Sequence, residues 1–278
     1  MGESRDRVNG PDIAAPDRAE LAQLLLAAYA SRVPIVPLIE QHPGLTVADS
    51  YAIQQHQVGA WEAAGASIRG HKVGLSSFVM QRQMGVDQPD YGHLLDTMFF
   101  PEHQPIAAAG YLQPRVEPEV AFVLRTSLSG PGVTAADAAA AVDFVLPALE
   151  IIDSRIADWR ISIVDTIADN ASSGGVVLGS KPTRLDRVDL QLAGCLLGVN
   201  GRIVETGAGG AVLGSPLNSL AWLANTLGPL GVSLEAGHVV LPGSMTRAIP
   251  IRPGDVATAT VAGLGTVTAV FADDGKDA

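Results

Sequence analysis

From Gly70 onward the chain breaks into short runs of Val, Ile and Leu separated by Gly and Pro, and this punctuation most limits its fold. Runs of that length, bounded by turn residues, read as strands rather than helices. They fall at 71–75, 116–125, 145–152, 174–179, 190–199, 202–205, 238–241 and 256–271, the last a hairpin turning at "GLG". Two helices interrupt the series. One starts at Thr134 with Asp137 following, and the other has Ser215 as N-cap, Pro216 in its first turn and Gly228 as its stop. Strands outnumber helices and do not alternate with them, so an α+β body is expected and a doubly wound sheet is not.

Upstream of that body the texture is helical. Asp17 with Glu20 opens the amphipathic run "AELAQLLLAAYASR", and Thr46 with Asp49 opens a second run that Gly65 can end. The division expected is a loose tail at 1–15, a helical N-terminal portion at 16–68 and a β-rich domain at 69–278. With 47% of 278 residues hydrophobic, the chain can fill a large core. A net charge of −11, with Lys and Arg scattered, argues against nucleic acid and anionic membrane as partners. No run reaches the roughly 20 apolar residues of a membrane span. The start has no apolar signal-peptide stretch. The single cysteine, Cys195, excludes an internal disulfide and fits a cytoplasmic protein.

The residues that stand out are acids inside apolar runs. "RVEPEVAFVL" (115–124) carries Glu117 and Glu119, and "FVLPALEIIDSR" carries Glu150. On an extended strand residues i and i+2 share a face, so Glu117 and Glu119 project together. Burying an unpaired carboxylate is costly. Either this pair lies on a solvated strand start, edge or bulge, where Pro118 is also at home, or the three acids form an oxygen site for a hard cation such as Mg²⁺ or Mn²⁺. Lys72, between glycines in "RGHKVGLSS", is an edge-strand lysine, a buried proton carrier or a carboxylate anchor. "MGVDQPDYGHLLD" reads as a polar loop with Asp87, Asp90, His93 and Asp96; His71 and His93 lack zinc-site spacing. "DTIADNASSGGVVLG" reads as a second polar loop, with Asp165, Asp169, Asn170, Ser172 and Ser173 ahead of a strand. "LPGSMTRAIPIRPGD" offers Ser244, Thr246 and Arg247. Neither a dinucleotide fingerprint nor a G-x-S-x-G elbow is present.

Taken in order, "GHKVGLSS", "DQPDYGHLLD", "RVEPEVAF", "LEIIDSRIADW", "DTIADNASSGG" and "LPGSMTRAI" resemble the 2-keto-4-pentenoate (2-hydroxypenta-2,4-dienoate) hydratase family, of the fumarylacetoacetate hydrolase superfamily. The likeness implies a mixed β-roll core with a small helical N-terminal portion, and a homo-oligomer. It implies Mg²⁺ or Mn²⁺ held by Glu117, Glu119 and Glu150, a catalytic Lys72 with Asp90 as its acidic partner, and substrate contacts from Ser172 and Ser244. The substrate implied is a small 2-oxo acid or its dienol, hydrated to 4-hydroxy-2-oxopentanoate in ring meta-cleavage catabolism, with other enzymes of that route as partners. A sister activity, decarboxylation of 2-oxo-3-hexenedioate, shares almost the same motifs, and a non-catalytic, metal-stabilised partner subunit is a third reading. The two activities differ at the far end of the substrate. A second carboxylate there needs a basic or hydroxyl-rich partner, and Arg247 is the residue placed to supply one.

Overall fold

A computed structural model describes residues 17–273, and the tail expected at 1–15 lies outside the described residues. The helices are α1 (Arg18–Ser31), α2 (Leu38–Gln41), α3 (Val47–Ala63), α4 (Phe78–Met84), α5 (Ala135–Ala141), α6 (Ile163–Ala168) and α7 (Pro216–Leu227). The first seven strands are β1 (Ile68–Gly74), β2 (Asp90–Leu95), β3 (Phe99–Phe100), β4 (Pro105–Ile106), β5 (Arg115–Leu124), β6 (Val142–Ile152) and β7 (Ser173–Leu178). The rest are β8 (Gly194–Val199), β9 (Arg202–Ala208), β10 (Val239–Leu241), β11 (Ile249–Pro250), β12 (Val256–Val261) and β13 (Gly265–Phe271).

Helix starts follow the capping signals. Asp17 accepts from the N–H groups of Ala19 and Glu20, while Thr46 with Asp49 and Thr134 with Asp137 close full capping boxes. Three segments differ from expectation. Residues 165–172, expected as a loop, are most of α6 and a short turn, because Ser162 and Asp165 form another capping box; six residues are too few to show a helical period. The "loop" around Asp90 contains β2, all six residues of which are buried; its Asp and His masked the strand pattern. The strand expected from 190 starts at Gly194, since Asp189 Oδ1 accepts from the N–H groups of Gln191 and Leu192 and turns the chain there.

The strands form two mixed sheets, an eight-stranded one in the order β2-β1-β10-β5-β6-β7-β3, with β11 also on β5, and a five-stranded one in the order β4-β13-β12-β8-β9. Val116, Leu149, Ile151 and Val177 of the large sheet pack against Leu197, Ala257, Val267 and Phe271 of the small one. On that same face, Val120 and Phe122 join Leu220 and Leu223 of α7. By alternation Glu117, Glu119 and Glu150 lie on the other face. Pro118 sits at neither a strand start nor a sheet edge. β11 pairs with β5 at Arg115 and Val116 and β10 pairs at Phe122 and Val123, which leaves a gap in the ladder where a residue without an N–H fits. The segment after β10 fills that gap, and Met245 N–H donates to the Pro118 carbonyl at 3.1 Å.

The N-terminal helices dock where α6 ends. Leu21, Leu25 and Ile53 share a cluster with Ile156, Val164 and Ala168. Gln54 and Gln57, both buried on α3, donate to the carbonyls of Ile167 and Ala168 at 3.0 and 2.6 Å. Those carbonyls belong to the last turn of α6 and have no partner within the helix.

Candidate active site and metal centre

The β5–β6 register sets Glu117 opposite Glu150, with Glu119 one step along on the same face. One carboxylate oxygen from each lies within 4.8 Å of the others. Glu119 and Glu150 are 0% and 1% exposed, and Glu117 is half-buried at the mouth. Glu119 Oε2 accepts from Gly243 N–H at 2.8 Å. Its Oε1 and both oxygens of Glu150 have no hydrogen-bond partner among the described residues. Such an arrangement of like charges needs protons or a cation. Burial, then the Glu150 charge, pushes Glu117 up to about 7; the same two causes push Glu119 well up, and burial pushes Glu150 up.

Lys72 reaches this cluster from β1. Its ammonium donates to the Ala171 carbonyl at 2.8 Å and lies 3.3 Å from Glu150 Oε1. Burial pulls its pKa down, but Glu150, Glu117, Asp90 and Glu119 outweigh that and keep it an ammonium. Asp90, at the start of β2, is registered against Gly74 and shares a face with Lys72. A side chain at Gly74 would put its Cβ 2.1 Å from Asp90 Oδ1, so the glycine after Lys72 makes room for this carboxylate. Gly70 has its own reason, since a Cβ there would sit 1.9 Å from the Val239 carbonyl. Burial pushes the Asp90 carboxyl up and Lys72 draws it back.

Four acids around one lysine, all of them oxygen donors and several without a partner, fit a hard divalent cation. The cluster can hold a metal ion, at Glu117, Glu119 and Glu150. Because these carboxyls are pushed up, a cation must displace protons on entering. Affinity for Mn²⁺ is therefore expected to rise roughly ten-fold or more between pH 6 and pH 8. Calorimetric titration in two buffers of different ionisation enthalpy would count the protons released, and an affinity independent of pH would contradict the assignment.

The other residues singled out in the sequence divide clearly. Ser172 is 3% exposed with an unpartnered hydroxyl, next to the Ala171 carbonyl that binds Lys72. Ser244 is half-buried and donates to the Thr246 carbonyl at 2.9 Å; its segment meets the site through Gly243. Arg247 does not join them: its side chain is 79% exposed and ion-paired with Glu205 of β9. Asp87 and Asp96 are exposed, and Asp96 accepts from Ser67. His71 and His93 are paired in register on the face opposite Lys72, and burial pulls both down, His93 to about 4. Burial pushes the Cys195 thiol up to about 12, which makes it a poor nucleophile. A cleft of about 380 Å³ between Arg69, Asp96 and Phe99 lies apart from the carboxylates. Sequence reading passed over Arg155. It is 1% exposed and bonded to Asp169, and the signal available was a charged residue between Ile151, Ile152 and Ile156.

The fold and the site both have known counterparts. Residues 69–272 match the family described as Fumarylacetoacetate (FAA) hydrolase C-terminal. The chain is 45% identical to the 2-keto-4-pentenoate hydratase of Paraburkholderia xenovorans (strain LB400), covering 91% of this chain and 94% of that one. It is 42% identical to the 2-hydroxyhexa-2,4-dienoate hydratase of Comamonas testosteroni, covering 90% and 96%. Among solved structures it resembles the 4-oxalocrotonate decarboxylase from Pseudomonas putida G7 complexed with magnesium and adipate, with 38% identity, a TM-score of 0.88, and 91% and 97% of the two chains covered. The same decarboxylase has been solved with calcium and acetate.

Proposed function

The chain belongs to the fumarylacetoacetate hydrolase family, and from that premise we propose that it adds water to 2-hydroxypenta-2,4-dienoate, giving 4-hydroxy-2-oxopentanoate, with Mg²⁺ or Mn²⁺ as cofactor. It is an enzyme of the hydratase class. The observation that carries the reading is the carboxylate triad Glu117, Glu119 and Glu150 with Lys72 against it. When bound there, a divalent cation supplies a Lewis acid for a 2-oxo acid and offsets the charge that an anionic substrate brings to a protein of net charge −11.

Hydration moves two protons and forms one C–O bond. The 2-hydroxyl loses a proton and C5 gains one; then water adds its hydroxyl to C4 and gives up its other proton, and C3 takes one. Lys72 enters as an ammonium, so it anchors the substrate carboxylate and donates hydrogen bonds. Asp90, whose carboxyl burial pushes up and Lys72 draws back, faces the ammonium on the same side of the sheet and acts as the acid–base partner. The buried, unpartnered Ser172 hydroxyl binds the substrate, and Ser244 approaches from the segment that fixes Glu119.

The sister decarboxylase reaction needs a partner for a second carboxylate, since burying that charge alone costs several kcal/mol. Among the described residues the buried cationic side chains are Lys72 and Arg155, and Arg155 is engaged by Asp169 and Asp153. Arg247 faces outward. This supports the hydratase. Burial of Lys72 at the carboxylates also weighs against a non-catalytic partner subunit. The test is to give the purified protein both substrates with Mg²⁺, following loss of the dienol chromophore, the hydroxy acid by NMR, and CO₂. Release of CO₂ from 2-oxo-3-hexenedioate at the faster rate would overturn the assignment. Arg247→Ala is expected to leave hydration within about two-fold, as for any exposed ion pair. A homo-oligomer, association with other meta-cleavage enzymes and a cytoplasmic setting belong to the same proposal. The first two rest on the family likeness, and the third on a lone buried cysteine.

A further inference from the structure

Three consecutive residues between α6 and β7 have left-handed backbones: Asn170 (φ 50°), Ala171 (φ 50°) and Ser172 (φ 55°). None is glycine, and an L-residue in this region crowds its Cβ against the following carbonyl. Such residues normally occur singly, so a run of three persists only where its surroundings over-determine it. Two sets of contacts hold this turn, one facing the site and one facing away.

Toward the site, the Ala171 carbonyl accepts from Lys72 Nζ at 2.8 Å. The Asn170 side chain accepts from His93 N–H at 2.8 Å and donates to the His93 carbonyl at 3.0 Å. That pair seats the turn on β2, the strand that begins with Asp90. The turn therefore sets the position of Lys72 relative to Asp90 and to the carboxylates.

Away from the site, the turn is gripped by Arg155. Its Nη2 donates to the carbonyls of Asp169 and Ser173, at 3.2 and 3.5 Å, and these two carbonyls bracket the left-handed run. Its Nε donates to Asp169 Oδ1 at 2.5 Å, and its backbone N–H to Asp169 Oδ2 at 3.0 Å. Asp153 lies 3.7 Å away, and the ring of Tyr29 from α1 covers the guanidinium at 4.0 Å. None of these contacts reaches Glu117, Glu119 or Glu150. A planar guanidinium can serve a carboxylate and two carbonyls at once, whereas an ammonium is a single point of charge.

We propose that Arg155 is a positioning residue: by clasping Asp169 and the carbonyls on both sides of the turn it fixes the Ala171 carbonyl, and so aims the Lys72 ammonium into the site. The inference rests on Lys72 serving the hydration proposed above. It also gives α1 a part in the site, through Tyr29 stacked on the clasp.

The chain has three lysines, Lys72, Lys181 and Lys276, and Lys181 is exposed. Competitive acetylation with N-hydroxysuccinimide acetate, read by mass spectrometry, therefore reports the reactivity of Lys72 against Lys181 with neither metal nor substrate present. In Arg155→Lys and Asp169→Asn the Lys72/Lys181 labelling ratio is expected to rise about ten-fold, as the clasp opens. A displacement of about 1 Å costs up to 10²-fold in rate, so kcat is expected to fall at least ten-fold, with the Kd for Mn²⁺ within about three-fold of wild type. An unchanged labelling ratio in a folded variant overturns the proposal, and so does a Kd for Mn²⁺ that weakens in step with kcat. If neither variant folds, Arg155 maintains the fold rather than Lys72, and the proposal is likewise overturned. A wild-type protein that does not hydrate 2-hydroxypenta-2,4-dienoate sinks the reaction assigned above, while the labelling ratio still decides the clasp.

Discussion

Lys72→Ala is expected to lower turnover by roughly 10²- to 10³-fold, the range for removing one positioned donor that meets developing charge. The ammonium lies between the Ala171 carbonyl and Glu150, and on the proposed reading it meets the 2-oxo acid there. Its removal takes away a hydrogen-bond donor and the positive charge that acts on all four acids. Two outcomes then separate a catalytic role from a structural one. First, KM for the anionic substrate should rise along with the fall in kcat, because on the proposed reading the anchor and the hydrogen-bond donor are the same group. Second, the stability cost should depend on pH and metal. Without the lysine, the raised carboxyls can take protons at pH 6, so the fold should persist there; at pH 8 without metal they repel one another with less positive charge to offset them. Saturating Mn²⁺ should restore the melting temperature at pH 8 but not the turnover. A loss of two- or three-fold in kcat would reduce Lys72 to a counter-ion.

What could be read in the residues, and what could not, follows from the range of each signal. Glu117, Glu119 and Glu150 were legible because a carboxylate inside an apolar run is a local contradiction, visible in ten residues. Lys72 between two glycines was legible for the same reason, and both glycines have packing causes. Their convergence was not, since it depends on the pairing of Glu117 with Glu150 and on Lys72 reaching past the end of β10. Asp90 was found through the family likeness but its strand was missed. A strand holding an acid and a histidine, both buried, reads as a loop until its neighbours are known. Pro118 was misplaced because a break in the ladder between β10 and β11 belongs to the sheet and not to any one strand. Arg155 was passed over for a related reason. A lone arginine among isoleucines acquires meaning when Asp169, the turn and Tyr29 are assembled around it.

Glu119→Gln is expected to make the metal-free protein more stable and the metal-loaded protein far less active. Glu119 is fully buried, with Glu117 and Glu150 as like-charged neighbours, and without a cation its charge opposes folding. Glutamine keeps the shape and can still accept from Gly243 N–H through its amide oxygen, so packing is preserved. At pH 8, where Glu117 with its pKa near 7 is ionised, removing one of these charges should help. A gain on the order of 1 kcal/mol corresponds to about 2–4 °C in melting temperature. On the proposed assignment the same substitution removes one of three anionic ligands and turns an amide N–H₂ toward the cation position. Turnover should fall by at least roughly 100-fold, since the Lewis acid accounts for several kcal/mol of the barrier. Saturating metal stabilises a protein that binds it by about 2.7 kcal/mol at a hundred times Kd. Wild type should show that rise with Mn²⁺ and the variant little of it, so their melting temperatures should cross as metal is added. A ligand role predicts this crossing, and a purely structural role for Glu119 does not. A variant that melts below wild type in chelator and gains as much from Mn²⁺ would remove Glu119 from the metal site.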